Sequence, residues 1–188
     1  MSVPVELSTH RLRLRPWLPQ DRAPFAALNA DPEMMAYFPF PLSRIESNIL
    51  ADHLQALLTQ HGWGFWALEL RATGTFIGFT GLHQVDNALP FSPATEVGWH
   101  LARPYWGEGL ASEAARCALR YAFESLALPE VVAFTALGNT PSQAVMRRLG
   151  MRYDGEFEHP ALPPGHPLRP HALYRMCRAD DAAHILDA

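Results

Sequence analysis

The sequence predicts a mixed α/β domain of the α+β class, and three observations support this. The 188 residues amount to about one domain at roughly 150 residues per domain, and no repeat, low-complexity tract or flexible linker divides them. Segments with the two-residue period of strands alternate with segments that have the 3.6-residue period of helices. In the middle, a strand, a glycine loop, a helix and another strand follow one another, as in a parallel crossover. We therefore predict a single domain over residues 1–188, with the elements β-α-α-β-β-β-α-β-α-β-β.

The composition excludes several classes of protein. A net charge of −4 argues against a general nucleic-acid binder, which carries a basic surface. No run approaches the roughly 18 consecutive apolar residues of a membrane span, and the N-terminus lacks the features of a secretory signal. Two cysteines, Cys117 and Cys177, cannot build a disulfide framework, so we expect reduced thiols in a cytoplasmic protein.

The first strand and the first helix are predicted close to the N-terminus. Residues Thr9–Arg15 alternate polar and apolar side chains, which directs Leu12 and Leu14 to the core and the three arginines to water. Asp21 then stands where it would cap a helix that runs to about Ala30.

The second helix and a hairpin follow. Ser43 and Glu46 form a capping box, and Gly62 marks the end of the helix that they open. The apolar residues near one face of this helix are Ile45, Ile49, Leu54, Leu57 and Leu58. Trp63–Arg71 and Thr75–Leu82 are apolar and aromatic and are separated by a short glycine turn, which predicts a hairpin.

The next strand, Thr95–Leu101, leads through a glycine loop into a long helix. Alternation divides the strand into one face with Glu96, Gly98 and His100 and another with Val97, Trp99 and Leu101. The loop Trp106–Ala111 contains two glycines, and the helix after it extends to about Leu126. The predicted inner stripe of this helix is Ala111, Ala115, Ala118, Ala122 and Leu126, small enough to let the helix approach a sheet closely.

A strand, a short helix and a final strand pair complete the chain. Val131–Leu137 reads as a strand, and Thr140–Gln143 has the pattern of a capping box for a helix that ends at Gly150. Met151–His159 and Leu168–Arg178 are then predicted to pair, joined by a proline-rich loop.

Glycines between a strand and a helix let the backbone approach an anion at the helix N-terminus. A plain turn with a helix cap accounts for two glycines equally well. A dinucleotide-binding fingerprint fits poorly, because Ser112 stands in place of its third glycine. Its acidic residue is also misplaced, because Glu130 precedes the next strand instead of following it.

Five segments together resemble a known family: Thr9–Arg15, Glu96–Leu101, Tyr105–Ala115, Asn139–Ser142 and Leu149–Met151. They are similar to the GNAT superfamily of acetyl-CoA-dependent N-acetyltransferases, and within it to the RimJ/RimL-type branch. The resemblance extends from about residue 7 to about residue 178.

The resemblance implies a twisted, mostly antiparallel sheet of about seven strands with a central parallel split, flanked by about four helices. The pantetheine arm of acetyl-CoA would lie in the split and its pyrophosphate on the glycine loop. The implied cofactor-binding residues are Trp99, His100, Leu101, Trp106, Gly107, Glu108, Gly109, Leu110, Ala111, Asn139 and Ser142. Trp106 stands where the family has Gln or Arg, so the backbone amides of residues 107–111, helped by Arg103, would carry the pyrophosphate.

Acetyl transfer to an amine requires a base for the amine proton and a proton for the departing thiolate. Glu96 is the candidate base; a purely structural carboxylate is the alternative. Many superfamily members have a tyrosine acid where this chain has Met146, so Ser142 is the candidate partner of the sulfur. Packing within the helix is the alternative for Ser142, and a pre-cap turn is the alternative for Asn139.

The acceptor is expected to contact aromatic residues in loops, because interleaved prolines argue against a simple core role. The candidates in loops are Tyr37, Phe38 and the segment from Phe157 to His171, and Trp66 and His83 are further candidates for the lining. The nine histidines lack the spacing of a metal site, so no metal is predicted.

Three functions stay open at this point. The first is acetyl transfer from acetyl-CoA to a primary amine, including a protein or peptide N-terminus. The second is acetylation of a small-molecule amine, and the third is acetyl-CoA binding without turnover in a regulatory protein. Acetyl-CoA and an amine are the expected partners, nucleic acid and membrane are not, and a homodimer is left open.

Overall fold

The computed structural model describes residues 3–85 and 88–178. This part of the chain contains eight strands and four α-helices, and the predicted order is confirmed apart from an added two-residue strand at the start. The elements are β1 (Leu7–Ser8), β2 (Leu12–Arg15), α1 (Arg22–Ala30), α2 (Arg44–His61), β3 (Phe65–Leu70), β4 (Thr75–Gln84), β5 (Thr95–Leu101), α3 (Leu110–Glu124), β6 (Glu130–Ala136), α4 (Thr140–Arg148), β7 (Arg152–Glu158) and β8 (Pro170–Cys177).

The strands form a mostly antiparallel eight-stranded sheet, so the predicted fold class is confirmed. Hydrogen-bonded neighbours follow the order β1-β2-β3-β4-β5-β6-β8-β7. β5 and β6 run parallel with Glu96 opposite Val132, and α3 is the crossover between them. The last strand, β8, lies antiparallel between β6 and β7, a placement that the sequence did not reveal.

Within the described residues, the chain divides into two compact units. The first comprises residues 3–82 and 98–118, and the second comprises residues 83–85, 88–97 and 119–178. That residues 1–188 form one N-acetyltransferase domain stays a prediction. No helix in the described part of the chain is both long and apolar enough to cross a membrane.

The first unit is built around aromatic rings and the leucines of β2. Leu12 and Leu14 are fully buried, as their alternation predicted. Ring contacts with centroid distances of 4.9 to 6.4 Å join Trp17, Phe25, Phe65, Phe76 and Phe79. Edge-to-face pairs of this kind add stability beyond the area that they bury.

Arg15 is buried, so the prediction that all three arginines of Thr9–Arg15 face water was wrong for this residue. Its side chain is 3% exposed and binds Asp21, which is 1% exposed, through two hydrogen bonds of 2.7 and 2.9 Å. Glu69 of β3 accepts a further bond from Nε at 2.6 Å. The hydrogen bond with Asp21 raises the pKa of Arg15. Asp21 also accepts from the Leu18 N–H and does not cap α1 with its side chain, contrary to expectation.

The capping box of α2 is confirmed, whereas its predicted inner face is partly wrong. Ser43 N–H donates to Glu46, Glu46 N–H donates to Ser43, and Gly62 ends the helix with φ +80°. The buried stripe is Ser47, Ala51, Leu54 and Leu58, in which Ser47 Oγ accepts a hydrogen bond from Asn29. Ile45 and Ile49 are 73% and 63% exposed, because a residue two positions from the stripe lies about 200° around the helix.

The second unit contains the first residues of β5 together with β6, β8 and β7. Its apolar cluster consists of Val85, Leu89, Val132 and Leu173, with Phe91, Phe134 and Phe157 packed against it. Register pairs place Leu173 beside Phe134, and His171 beside Phe157. This cluster fixes one face of β6, the strand that pairs with β5.

The predicted end of α3 and the predicted N-terminal cap of α4 both differ from the structure. Ala115, Ala118 and Ala122 are fully buried as predicted, but α3 ends at Glu124, before Leu126. α4 is capped by Asn139, whose side chain accepts from the Ser142 N–H, and not by Thr140. Asn is among the best capping residues because its short side chain reaches that N–H.

Removing the charge of Asp21 should destabilise the protein strongly. Asp21→Asn leaves the buried Arg15 guanidinium incompletely compensated, and we expect a loss of about 3 kcal/mol in the free energy of unfolding in urea. Asp52→Asn is the control, because Asp52 is a 67% exposed partner of Arg22, and it should cost less than about 1 kcal/mol. Equal losses in the two variants would contradict this account.

Candidate active site

The loop between β5 and α3 presents backbone donors at the start of a helix. Gly107 and Gly109 both have φ +78°, a backbone conformation that residues other than glycine rarely adopt. Glu113 N–H donates to Gly109 O, which begins the first turn of α3. Within the described part of the chain, the N–H groups of Gly107, Glu108 and Gly109 donate no hydrogen bond. Such free donors at a helix N-terminus suit an anion.

Two residues at the entrance of the loop have structural partners. The indole N–H of Trp106 donates to the backbone oxygen of Leu101 at 2.6 Å, which anchors the first residue of the loop. Arg103, which we expected to assist with the pyrophosphate, binds Asp31 at 2.9 Å and also binds Glu33. Its charge is therefore balanced by two carboxylates.

Arg11 is a neighbour of the loop that the sequence analysis missed. Its Nη1 donates to Glu108 O at 3.0 Å, and its Nε donates to Glu113 at 2.6 Å. Thr9 also donates to Glu113, at 2.5 Å. Burial alone would raise the pKa of Glu113, but the hydrogen bonds from Thr9 and Arg11 hold that pKa below its usual value. The only sequence signal is that Arg11 lies in the N-terminal segment that carries the family resemblance.

The last residues of β5 place one ring among aromatic side chains. The His100 imidazole lies 4.6 Å from the ring of Phe38, at 87°, and 5.0 Å from that of Phe79. Its Nδ1 is shielded from solvent and has no hydrogen-bond partner among the described residues. Burial lowers the pKa of His100 to about 4, so the ring is neutral at neutral pH. Trp99 is partly exposed, and Leu101 is buried.

The acceptor candidates of the first unit differ in their surroundings. Tyr37 is partly exposed, and Phe38 is 40% exposed, on the segment between α1 and α2. Trp66 is fully buried and its indole N–H donates to Val5 O at 2.7 Å. That arrangement makes Trp66 a core residue, and it gives no support to a role in contacting an acceptor.

In the second unit, the structure brings Glu96 and His83 together. Nδ1 of His83 lies 3.2 Å from Oε1 of Glu96, and both side chains are partly exposed. A carboxylate in contact with an imidazole and with access to water can accept a proton. The sequence predicted Glu96 as the base and His83 as an acceptor contact, without relating the two. They meet because β4 and β5 are neighbouring strands.

Asn139 and Ser142 are adjacent at the start of α4. Asn139 accepts from the Ser142 N–H at 3.2 Å and donates to Thr135 at 2.8 Å, so the amide is used structurally at both ends. The Ser142 hydroxyl is partly exposed and makes no hydrogen bond within the described residues. Met146, one turn further along, is buried.

No group of three or more His, Cys, Asp or Glu side chains that could hold a metal ion occurs in residues 3–85 and 88–178. His159 and His171 lie with their ring centroids 4.9 Å apart and pack beside Phe134 and Phe157. His159 and His171 are thus part of an aromatic cluster. Cys117 and Cys177 form no disulfide within the described residues.

A family model described as the Acetyltransferase (GNAT) domain matches residues 11–152. The chain belongs to the GNAT acetyltransferase family. It is an acetyl-CoA-dependent N-acetyltransferase. Of the three functions left open by the sequence, this membership favours the two acetyl-transfer reactions over acetyl-CoA binding without turnover.

Three similar proteins illustrate the family. The FsC-acetyl coenzyme A-N(2)-transacetylase of Aspergillus fumigatus is 33% identical over 168 residues, which span 85% of this chain and 71% of that protein. The putative ribosomal N-acetyltransferase YdaF of Bacillus subtilis is 34% identical over 83 residues, 44% of each chain. The crystal structure of an acetyltransferase from Agrobacterium tumefaciens superposes with a TM-score of 0.74 at 31% identity, covering 94% of this chain and 95% of that one.

Gly109→Val should weaken acetyl-CoA binding more than a matched glycine replacement elsewhere. An added Cβ at Gly109 meets only Arg11 Nη2, at 3.8 Å, so the cost to the free protein is the unfavourable φ. Gly74, in the β3–β4 turn, has φ +68° and open space around it, so Gly74→Val carries the same kind of strain.

We expect similar losses of thermal stability in the two variants. Calorimetry should show the dissociation constant for acetyl-CoA rising by about tenfold or more in Gly109→Val alone. Unchanged affinity in a folded Gly109→Val protein would mean that the pyrophosphate lies elsewhere.

Proposed function

We propose that this protein transfers the acetyl group of acetyl-CoA directly to a primary amine in a ternary complex. The acceptor nitrogen bonds to the acetyl carbon, the C–S bond of the thioester breaks, the amine loses a proton and the departing coenzyme thiolate gains one. The observation that carries the proposal is the glycine loop of the family motif, in which the N–H groups of residues 107–109 have no acceptor among the described residues. Acetyl-CoA is the anionic ligand that a GNAT loop serves.

The proposed pyrophosphate site is the backbone of residues 107–111. The partly positive N-terminus of α3 adds to the free N–H groups. Arg11 holds the loop through a hydrogen bond to Glu108 O, and its charge is paired with Glu113, so with tryptophan at position 106 the backbone donors are proposed to carry the pyrophosphate. The backbone of Trp99, His100 and Leu101 is proposed to contact the thioester and the pantetheine arm.

Glu96 is the proposed base. Its carboxylate is partly exposed, so an amine proton can pass from it to water, and the contact with His83 holds it in one position. If the imidazole is neutral, its Nδ1–H donates to the carboxylate; if it is protonated, the two form an ion pair.

Ser142 is the proposed partner of the coenzyme sulfur. Its hydroxyl is partly exposed and lacks an internal hydrogen bond among the described residues, while its backbone is fixed by Asn139. Met146 cannot supply a proton from the same helix. A single hydroxyl suffices, because a thiol with a pKa of roughly 8.5 leaves readily.

A protein or peptide N-terminal amine is the first candidate acceptor. The RimJ/RimL-like segments at Thr9–Arg15 and Tyr105–Ala115 support it, as does the partial similarity to a putative ribosomal N-acetyltransferase. A small-molecule amine is the second candidate, favoured by the similarity over most of the chain to an acetyl coenzyme A-N(2)-transacetylase.

The test is a panel of N-terminal peptides and small primary amines, with acetyl-CoA, in which release of the coenzyme thiol and the mass of the product are both measured. Transfer to peptides alone supports the first acceptor class, and transfer to small amines alone supports the second. Absence of acetylated product across the panel would contradict the proposal.

Glu96→Gln should lower the rate of acetyl transfer most at low pH. There the acceptor amine is most protonated, so the loss of the base matters most, on the order of a hundredfold. Glu124→Gln, an exposed carboxylate at the end of α3, is the control. A Glu96→Gln enzyme with the wild-type pH profile would remove Glu96 from the mechanism.

Ser142→Ala should lower kcat by about tenfold to a hundredfold with little change in KM for acetyl-CoA. The hydroxyl would act on the charge that forms as the C–S bond breaks, so its effect falls on the transition state. Ser125→Ala, at an exposed position, is the control. Full kcat would assign this task to water or backbone, and a change in KM alone would make Ser142 a binding residue.

A further inference from the structure

His100 presents a buried nitrogen without a partner inside an aromatic environment. Its Nδ1 is shielded from solvent, and no described residue donates to it or accepts from it. Several buried polar side chains of the same unit are paired, such as Arg15 with Asp21 and Asn29 with Ser47, and the only other buried side-chain atom without a partner in the described residues is Oδ1 of Asn48. Buried polar atoms in folded proteins nearly always have a partner, so an exception calls for a function.

The position would favour an apolar residue if packing alone mattered. The rings of Phe38 and Phe79 lie 4.6 and 5.0 Å from the imidazole, and Phe79 in turn contacts Phe65 at 5.3 Å. A phenylalanine in place of His100 would continue this cluster without leaving a polar atom unpaired. The histidine therefore destabilises the free protein relative to an apolar ring of similar shape.

The environment of the ring restricts the chemistry of a partner. Burial holds the imidazole neutral, so it does not attract an anion by charge. A neutral imidazole has one N–H donor and one nitrogen acceptor, which suits an uncharged polar group. The aromatic neighbours suit an apolar body around that group.

Phe38 connects the ring to the surface. It lies edge-on to the imidazole and is 40% exposed, on the segment between α1 and α2. The segment is tied down at its ends, by Leu42 N–H to Asn29 O and by Arg103 to Asp31, and the ring of Phe38 is not held by these bonds. The His100 ring is itself partly exposed, but its Nδ1 is shielded, so a ligand reaches that atom only if a neighbouring side chain moves, and Phe38 is its exposed ring neighbour.

We propose that Nδ1 of His100 binds the acceptor, by a hydrogen bond with an uncharged amide, carbonyl or hydroxyl group close to the reactive amine, after Phe38 turns aside. The inference rests on the proposed function and deepens it. It assigns to the side chain of His100 a role separate from the backbone contacts proposed for the coenzyme. His100 is then a specificity residue, and the N-terminal residue of a peptide, with its amide beside the amine, has the required chemistry.

The test compares His100→Phe, which keeps the ring shape and removes the nitrogens, with His100→Asn, which keeps a polar group near the position of Nδ1. His61→Phe, at the exposed end of α2, is the control. The acceptor is the amine with the highest rate in the panel described above. Three quantities are measured: the melting temperature of the free protein, KM for the acceptor and the dissociation constant of acetyl-CoA.

We expect His100→Phe to melt at the wild-type temperature or higher, to raise KM for the acceptor about tenfold and to leave acetyl-CoA affinity within about twofold. His100→Asn should recover part of the loss in KM. A lower melting temperature with unchanged KM would make His100 structural, and a loss confined to acetyl-CoA affinity would assign Nδ1 to the coenzyme. Either result overturns the inference alone, whereas a wild-type protein that acetylates no amine overturns the proposed function.

Discussion

A parallel strand pair cannot be closed by a hairpin, and this constraint organises the middle of the chain. β5 and β6 run in the same direction, so the chain must travel back along the length of a strand before β6 begins. α3 makes that return, and its N-terminus therefore follows the carboxyl end of β5 through a short loop. Gly107 and Gly109 allow the tight left-handed path that this loop requires. The donors of the candidate coenzyme site are thus a consequence of strand direction.

Polar groups with an internal hydrogen-bond or ion-pair partner mostly serve the fold, whereas the candidate functional groups mostly have no such partner. Where a buried charge serves the fold, it is fully compensated, as Arg15 is by Asp21 and Glu69. Near the loop, Glu113 is likewise held by Thr9 and Arg11. Unpaired groups of the described chain include the N–H groups of residues 107–109, the hydroxyl of Ser142, Nδ1 of His100 and Oδ1 of Asn48. Unpaired donors and acceptors cost stability in the free protein, and a bound ligand can satisfy them.

The features that the sequence by itself determined are those set by short-range geometry. The capping box at Ser43 and Glu46 and the glycine stop at Gly62 were readable because a cap involves residues three or four positions apart. The order of the elements followed from hydrophobic period, and the crossover followed from the glycine loop between a strand and a helix. The same loop, with the motif around it, identified the family and predicted the coenzyme. These signals depend on residues close together in the sequence, so they can be interpreted without knowing the tertiary contacts.

Only the tertiary structure decided which residues meet across the chain. β8 lies between β6 and β7, and no local pattern distinguishes that order from the reverse. The burial of Arg15 depends on Glu69, more than fifty positions away, and the pairing of His83 with Glu96 depends on the register of β4 and β5. Other residues lie in environments that the sequence did not predict. Trp66 is in the core, Arg103 binds two carboxylates, and Ile45 and Ile49 are exposed to water. The type of a side chain determines which groups it can bind, and long-range packing determines which of those groups lie within reach.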